Sequence, residues 1–80
     1  ELRSDSLDLA TARAKIIERF PELSRREADV AAGVVTGLTA QEMADWLGIA
    51  PTSIITHRKR AYERLGVSNQ RELLRVFYMS

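Results

Sequence analysis

The sequence contains no cysteine and only two prolines. Without cysteine there is no disulfide framework and no thiolate-ligated zinc or iron–sulfur site. No apolar run is long enough to span a bilayer, and the N-terminus lacks a signal-peptide pattern. No repeat, low-complexity tract or strand pattern is present. There is a single histidine, His57. With no carboxylate at ligand spacing it makes no metal site; a phosphate hydrogen bond or a packed, satisfied core position suits it better than catalysis. Nor is there a nucleophile–base set or a phosphate-binding loop, so the sequence does not read as an enzyme and implies no cofactor.

What is there fits one small helical domain. A chain of 80 residues buries only about 60% of its unfolded surface, so its core has to be compact. The 45% hydrophobic and 29% charged content belongs to an ordinary globular protein. Net charge is +1, but it is unevenly spread. Residues 1–56 hold six Lys/Arg and nine Asp/Glu, or −3; residues 57–80 hold six and two, or +4. That asymmetry favours an anionic partner for the C-terminal part, against the plainer reading of a solvated basic face. The chain begins with Glu1, which suggests a segment cut from a longer protein, or processing.

Hydrophobic spacing predicts five helices. Leu7, Ala10, Ala14 and Ile17, widened by Ile16 and Phe20, mark a first helix over residues 6–20, capped by Asp5 or Ser6 and ended by Pro21. Ser24-Arg25-Arg26-Glu27 is a capping box that opens a second helix, with Leu23 before it as a staple. Its buried stripe is Val30, Ala31, Val34 and Val35, and Gly37 stops it. Gly33 within it marks close approach of another helix, or mere tolerance. Thr39 and Glu42 box a third helix, with Met43, Ala44 and Leu47 inward and Gly48 as its stop. Ile49 plugs the turn into the core. Pro51 suits the first position of a fourth helix, which runs to about Leu65 and ends at Gly66. Ser68 or Asn69 caps a fifth, to about Tyr78, with Leu73, Val76 and Phe77 as apolar contacts.

Residues 47–65 therefore read as a helix-turn-helix, a layout whose second helix enters the DNA major groove. Helical spacing puts Thr52, Ile55, Thr56, Lys59 and Glu63 on one side of the fourth helix. Ile54, Ala61 and Leu65 fall on the other, with Arg58 beside them, its stem packed and its head paired to an acid. An exposed Ile55 beside a threonine and a lysine is odd as plain surface and reasonable as a groove-reading face. Glu27 either caps alone or also pairs with Arg60 or Arg64 to orient the fourth helix; a general acid is the weaker reading. Trp46 either fills a groove between helices or is an exposed contact.

Taken in order, Leu23-Ser24-Arg25-Arg26-Glu27, Gly37-Leu38-Thr39, Glu42-Met43-Ala44, Leu47-Gly48-Ile49, Ser53-Ile54, His57, Leu65-Gly66-Val67 and Glu72-Leu73 resemble the LuxR-type helix-turn-helix. That is the C-terminal DNA-binding domain of many bacterial transcription regulators. The resemblance implies an all-α fold: a four-helix LuxR-type domain over residues 21–80, with residues 1–20 as an additional N-terminal helix or linker from a missing upstream sensory domain. It implies sequence-specific binding to double-stranded DNA by a bacterial transcription regulator in the cytoplasm, at the nucleoid. Base-edge contacts carry over to Ile55, Thr56 and Lys59. Phosphate contacts carry over to Thr39, Thr52, His57 and Arg60. Leu74 and Tyr78 carry over as contacts of a homodimer on paired half-sites, with RNA polymerase as a further partner and no membrane.

Three positions depart from the family pattern. Ala50 stands where a capping Ser or Thr is usual, so that Pro51 compensates or Thr52 caps instead. Ile55 replaces a basic or polar reader and suits a thymine methyl. Trp46 replaces a charged residue. A sigma-factor-like promoter-reading domain shares the box and turn but usually lacks the continuation into Gly66-Val67-Ser68-Asn69 and another helix. A helical protein-interaction module, keeping the fold without binding DNA, is the reading that Ile55, Trp46 and the near-neutral charge would support.

Overall fold

A computed structural model describes residues 8–79. Among these the fold is all-helical: α1 (Leu9–Arg19), α2 (Arg25–Val35), α3 (Ala40–Leu47), α4 (Pro51–Leu65) and α5 (Gln70–Met79). The five helices match those expected from hydrophobic spacing, as does the absence of strands among the described residues.

α2 is the hub. It packs against α1, α4 and α5, while α3 packs on α4. Every residue of α2 from Glu27 to Val35 is buried, which explains its run of small and β-branched residues. Neighbouring helices cover it on all sides, so no amphipathic stripe is left to face water. Gly33 shows how close they come. A Cβ there would lie 2.4 Å from Met43 Sδ and 2.7 Å from its Cγ, so α3 can seat Met43 only against a residue without a side chain. The expected close approach is therefore real.

Two acids lie inside this apolar helix, and both are neutralised. Asp29 is 5% exposed; it pairs with Arg13 of α1 and with Arg26 at 3.3 Å. Glu27 is 3% exposed and pairs with Arg64 of α4 at 2.8 Å. A buried carboxylate without such partners would be strongly destabilising.

α1 corrects two expectations. Residues 5–7, with the caps at Asp5 or Ser6 and the stripe residue Leu7, lie outside the described residues. The observed N-cap is Asp8, whose carboxylate accepts from the Thr11 amide at 2.8 Å; that bond holds its pKa below the ordinary value. The buried side is Ala12, Ile16 and Phe20, whereas Ala10, Ala14 and Ile17 are exposed. Adjacent isoleucines at 16 and 17 permit two phases of the helical pattern. Packing on α2, with Arg13 turned toward Asp29, selects the one that buries Ile16. The helix is fastened at its other end by Arg19, which donates to the Phe77 carbonyl and stands over the Phe77 ring, 5.6 Å from its centroid.

Candidate nucleic-acid interface

Local sequence fixes the α3–turn–α4 unit. Thr39 accepts from the Glu42 amide at 3.1 Å, and the Glu42 carboxylate accepts from the Thr39 amide at 2.8 Å. At the other end Gly48 adopts φ 70°, in the left-handed region, which glycine enters without the Cβ penalty. Its amide and that of Ile49 both donate to the Ala44 carbonyl, at 2.8 and 3.2 Å. Ile49 is thereby set against the core.

α4 then starts without a side-chain cap. Ala50 is the N-cap residue and Pro51 follows at the first turn, where its missing N–H leaves no further orphan donor. Thr52 does not cap; its carbonyl instead accepts from the Thr56 hydroxyl at 3.2 Å. Ile54 and Ala61 are buried, at 0% and 1% exposure. At 15 residues, α4 is a rod about 22 Å long.

Its opposite side is open. Thr52, Ile55, Thr56, Lys59, Arg60 and Glu63 are all exposed, Ile55 at 47%. The proposed base readers Ile55, Thr56 and Lys59 therefore share one uncovered face. Among the residues carried over as phosphate contacts, Thr39, Thr52 and Arg60 are exposed and His57 is half-buried. The Thr39 hydroxyl is occupied in its capping box. Leu74 is half-buried and Tyr78 exposed, on a different helix.

The far end of α4 is tied to the core by Glu27. Burial alone would raise this carboxyl's pKa, but the Ser24 amide and the Arg64 guanidinium overcome it, and the net shift is downward. Glu27 accepts from Ser24 N–H at 3.0 Å, completing the α2 capping box. One carboxylate thus fixes the start of α2 and the last turn of α4. Of the two partners the sequence allowed, Arg64 is the one used; Arg60 points to solvent.

One side chain departs from expectation, and another falls on one of its two readings. Arg58 has no acid partner among the described residues. It is half-buried beside Tyr62, whose phenol burial pushes up while the Arg58 charge opposes that shift. It lines a groove that reaches Ser68 of the α4–α5 loop, where Glu63 borders it without forming an ion pair. Trp46 is 39% exposed and does not fill an interhelical groove; Met43 and Ala44 already occupy the inward side of the short α3. Sequence reasoning also missed Asp29. A carboxylate set between Ala28 and Val30, with Arg26 one turn earlier, was its available signal.

Among the described residues no group of His, Cys, Asp and Glu could hold a metal ion, and no helix is long and apolar enough to cross a membrane.

Comparison with known proteins gives a consistent set of matches. The model for the luxR family of bacterial regulatory proteins matches residues 21–77. The transcriptional regulatory protein UhpA of Escherichia coli (strain K12) is 42% identical over 60 residues, covering 75% of this chain and 31% of UhpA. The tetrathionate response regulatory protein TtrR of Salmonella typhimurium is 32% identical over 68 residues, covering 85% of this chain and 33% of TtrR. A probable transcriptional regulatory protein NarL of Mycobacterium tuberculosis is 40% identical over 50 residues, covering 62% of this chain and 23% of NarL. The chain thus spans about a third or less of the length of these relatives. No solved structure matches it at comparable significance.

Proposed function

Because this chain belongs to the luxR family of bacterial regulatory proteins, we propose that it binds double-stranded DNA in a sequence-dependent way, by inserting α4 into the major groove. The observation that carries this reading is the uncovered Ile55–Thr56–Lys59 face, backed by a buried Ile54–Ala61 side that holds the rod to the core. In this role Lys59 donates to guanine O6 and N7, Thr56 contacts a base edge, and Ile55 packs on a thymine methyl. Thr39, Thr52, His57 and Arg60 contact phosphates, which fix register without reading sequence. A pair of chains meeting through Leu74 and Tyr78 would place two copies of α4 on successive half-sites.

The matched segment is 31%, 33% and 23% of the length of the three relatives. We therefore read residues 21–80 as the DNA-binding unit and residues 1–20 as its connection to an upstream sensory domain. The whole protein then acts as a cytoplasmic transcription regulator, with RNA polymerase as a partner. A protein-interaction module with the same fold is the competing reading; the exposed Trp46 is the observation that favours it.

The test is selection of bound sites from a random duplex library, followed by Lys59→Ala. The selected duplex should lose roughly 1–3 kcal/mol of preference over random sequence, with thermal stability unchanged. A variant that discriminates as well as the parent would falsify the assignment of α4 as reader. A parent that binds no duplex at low salt would favour the interaction module.

A further inference from the structure

We propose that Arg58 and Ser68 form a second backbone site, taking a phosphodiester group of the nucleic acid on the flank of α4 opposite Arg60. It rests on the DNA-binding reading above and deepens it.

Arg13 and Arg26 share Asp29, and Arg64 holds Glu27. Arg58 is half-buried like Arg13 and Arg26, yet no carboxylate among the described residues pairs with it. Folding has positioned its stem and left its charge uncompensated.

Its position is the second observation. Successive residues of a helix are about 100° apart. With Lys59 toward the groove floor, Arg58 and Arg60 lean to opposite walls, where the two phosphate strands run. Arg60 is simply exposed. Arg58 instead lies in a groove of about 330 Å³ that it lines with Ile55, Lys59, Tyr62, Val67 and Ser68. The groove is therefore continuous with the reading face and ends at the α4–α5 loop. A second groove of about 300 Å³ meets Arg58 from the other side and is lined by Ser68, Asn69 and Gln70. Arg58, Tyr62 and Ser68 line both grooves, and Arg58 is the one cation among them.

The chemistry suits a phosphodiester. Arg58 supplies a planar donor set that pairs with two phosphate oxygens. The Ser68 hydroxyl stands on an exposed rim and can donate beside it. The Tyr62 phenol, whose ordinary pKa of 10.0 is raised by burial, is a neutral group beside it. Two backbone amides at this end are already used: the Ser68 amide donates to the Glu72 carboxylate at 2.6 Å and the Glu72 amide to Asn69 at 3.0 Å. Glu63 borders the groove at one end, and the Glu72 carboxylate stands at the Ser68 amide at the other; both charges disfavour an anion close to them and leave the Arg58 guanidinium as the donor that anchors the phosphate, with the Ser68 hydroxyl beside it.

The experiment measures binding of a random-sequence duplex across a NaCl series. Arg58→Met, which keeps the apolar stem, should weaken binding several-fold at low salt. It should also flatten the slope of log K against log[NaCl] by about 0.9, one phosphate contact. The loss should be equal on random and selected duplexes, and Arg58→Lys should restore the slope. Ser68→Asp should weaken binding more than Ala10→Asp, which makes the same charge change on the exposed side of α1. That pair decides the matter if Arg58→Met does not melt cooperatively. A parental slope in Arg58→Met, or equal losses in the two Asp variants, overturns the site while leaving DNA binding intact. A parent without duplex affinity overturns both.

Discussion

α2 and α4 are helices of one small domain, and they treat charge in opposite ways. α2 is buried all round, and its two inner acids are each matched by arginine. α4 buries only Ile54 and Ala61 fully, and among the described residues its run Arg58-Lys59-Arg60 forms no ion pair. On α2 a charge left unpaired would cost several kcal/mol, so partners were built in. On α4 solvent bears that burden. The cations that pair with buried acids hold the fold, whereas those of the Arg58-Lys59-Arg60 run stay open to an anion.

The sharpest break in that comparison lies between neighbouring isoleucines on α4. Ile54 is 0% exposed and Ile55 47% exposed. Ile54→Ala should lower the unfolding free energy by about 2–5 kcal/mol, because the cavity it leaves is sealed between α2 and α4. Ile55→Ala should change stability by less than about 0.5 kcal/mol. Only the second should alter which duplex is preferred. Denaturant melts of both variants, alongside binding titrations, check this; equal destabilisation would mean that α4 has no free face.

A smaller effect is expected where the two helices meet. Glu27→Gln keeps the shape but removes the charge facing Arg64, and should cost about 1–2 kcal/mol at pH 7. Arg64 is 53% exposed on its side chain, so solvent screening keeps the loss below that of a fully buried pair. The pH dependence carries a definite sign. Glu27 has a folded pKa lowered from 4.5. Its charge therefore stabilises the fold fully above pH 4.5, and that contribution is lost as pH falls through the folded value. The gap between parent and Glu27→Gln should close over that acidic range. A gap that stays constant from pH 7 to pH 3 would show that the charge contributes nothing.

Much of this was legible in the sequence because its signals were local. Both capping boxes, the Gly48 turn and Pro51 at the start of α4 each depend on residues within a few positions, and each formed as read. So did the outward placement of Ile55, Thr56 and Lys59, which follows from helical period once Ile54 is inward. What failed was tertiary. Ile16 and Ile17 allowed two phases of α1, and only the surface of α2 could choose. Arg58 was expected to meet an acid, but whether one lies within reach depends on how the α4–α5 loop passes it. Trp46, left open between a groove and the surface, is exposed, and Met43 fills the space facing Gly33. The pairing of Asp29 with Arg13 spans two helices and leaves no trace in spacing.

The smallest expected effect sharpens the contrast at the helix starts. α2 and α3 each begin with a reciprocal capping box, whereas α4 begins at Ala50 with no side-chain acceptor. The Ser53 and Ile54 amides reach the Ala50 carbonyl at 2.9 and 3.2 Å, which leaves the Thr52 amide for water or for a bound anion. Ala50→Ser adds a hydroxyl that can accept from the first-turn amides. It should raise stability by about 1 kcal/mol, or a thermal midpoint several degrees higher for a domain of this size. The same variant tests the start of α4 as a contact. If a DNA phosphate uses the Thr52 amide, the new hydroxyl competes with it, and duplex affinity falls while stability rises. If affinity and stability rise or hold together, α4 meets DNA through its side chains alone. An unchanged midpoint would mean that Pro51 already supplies the ordering that a cap would add.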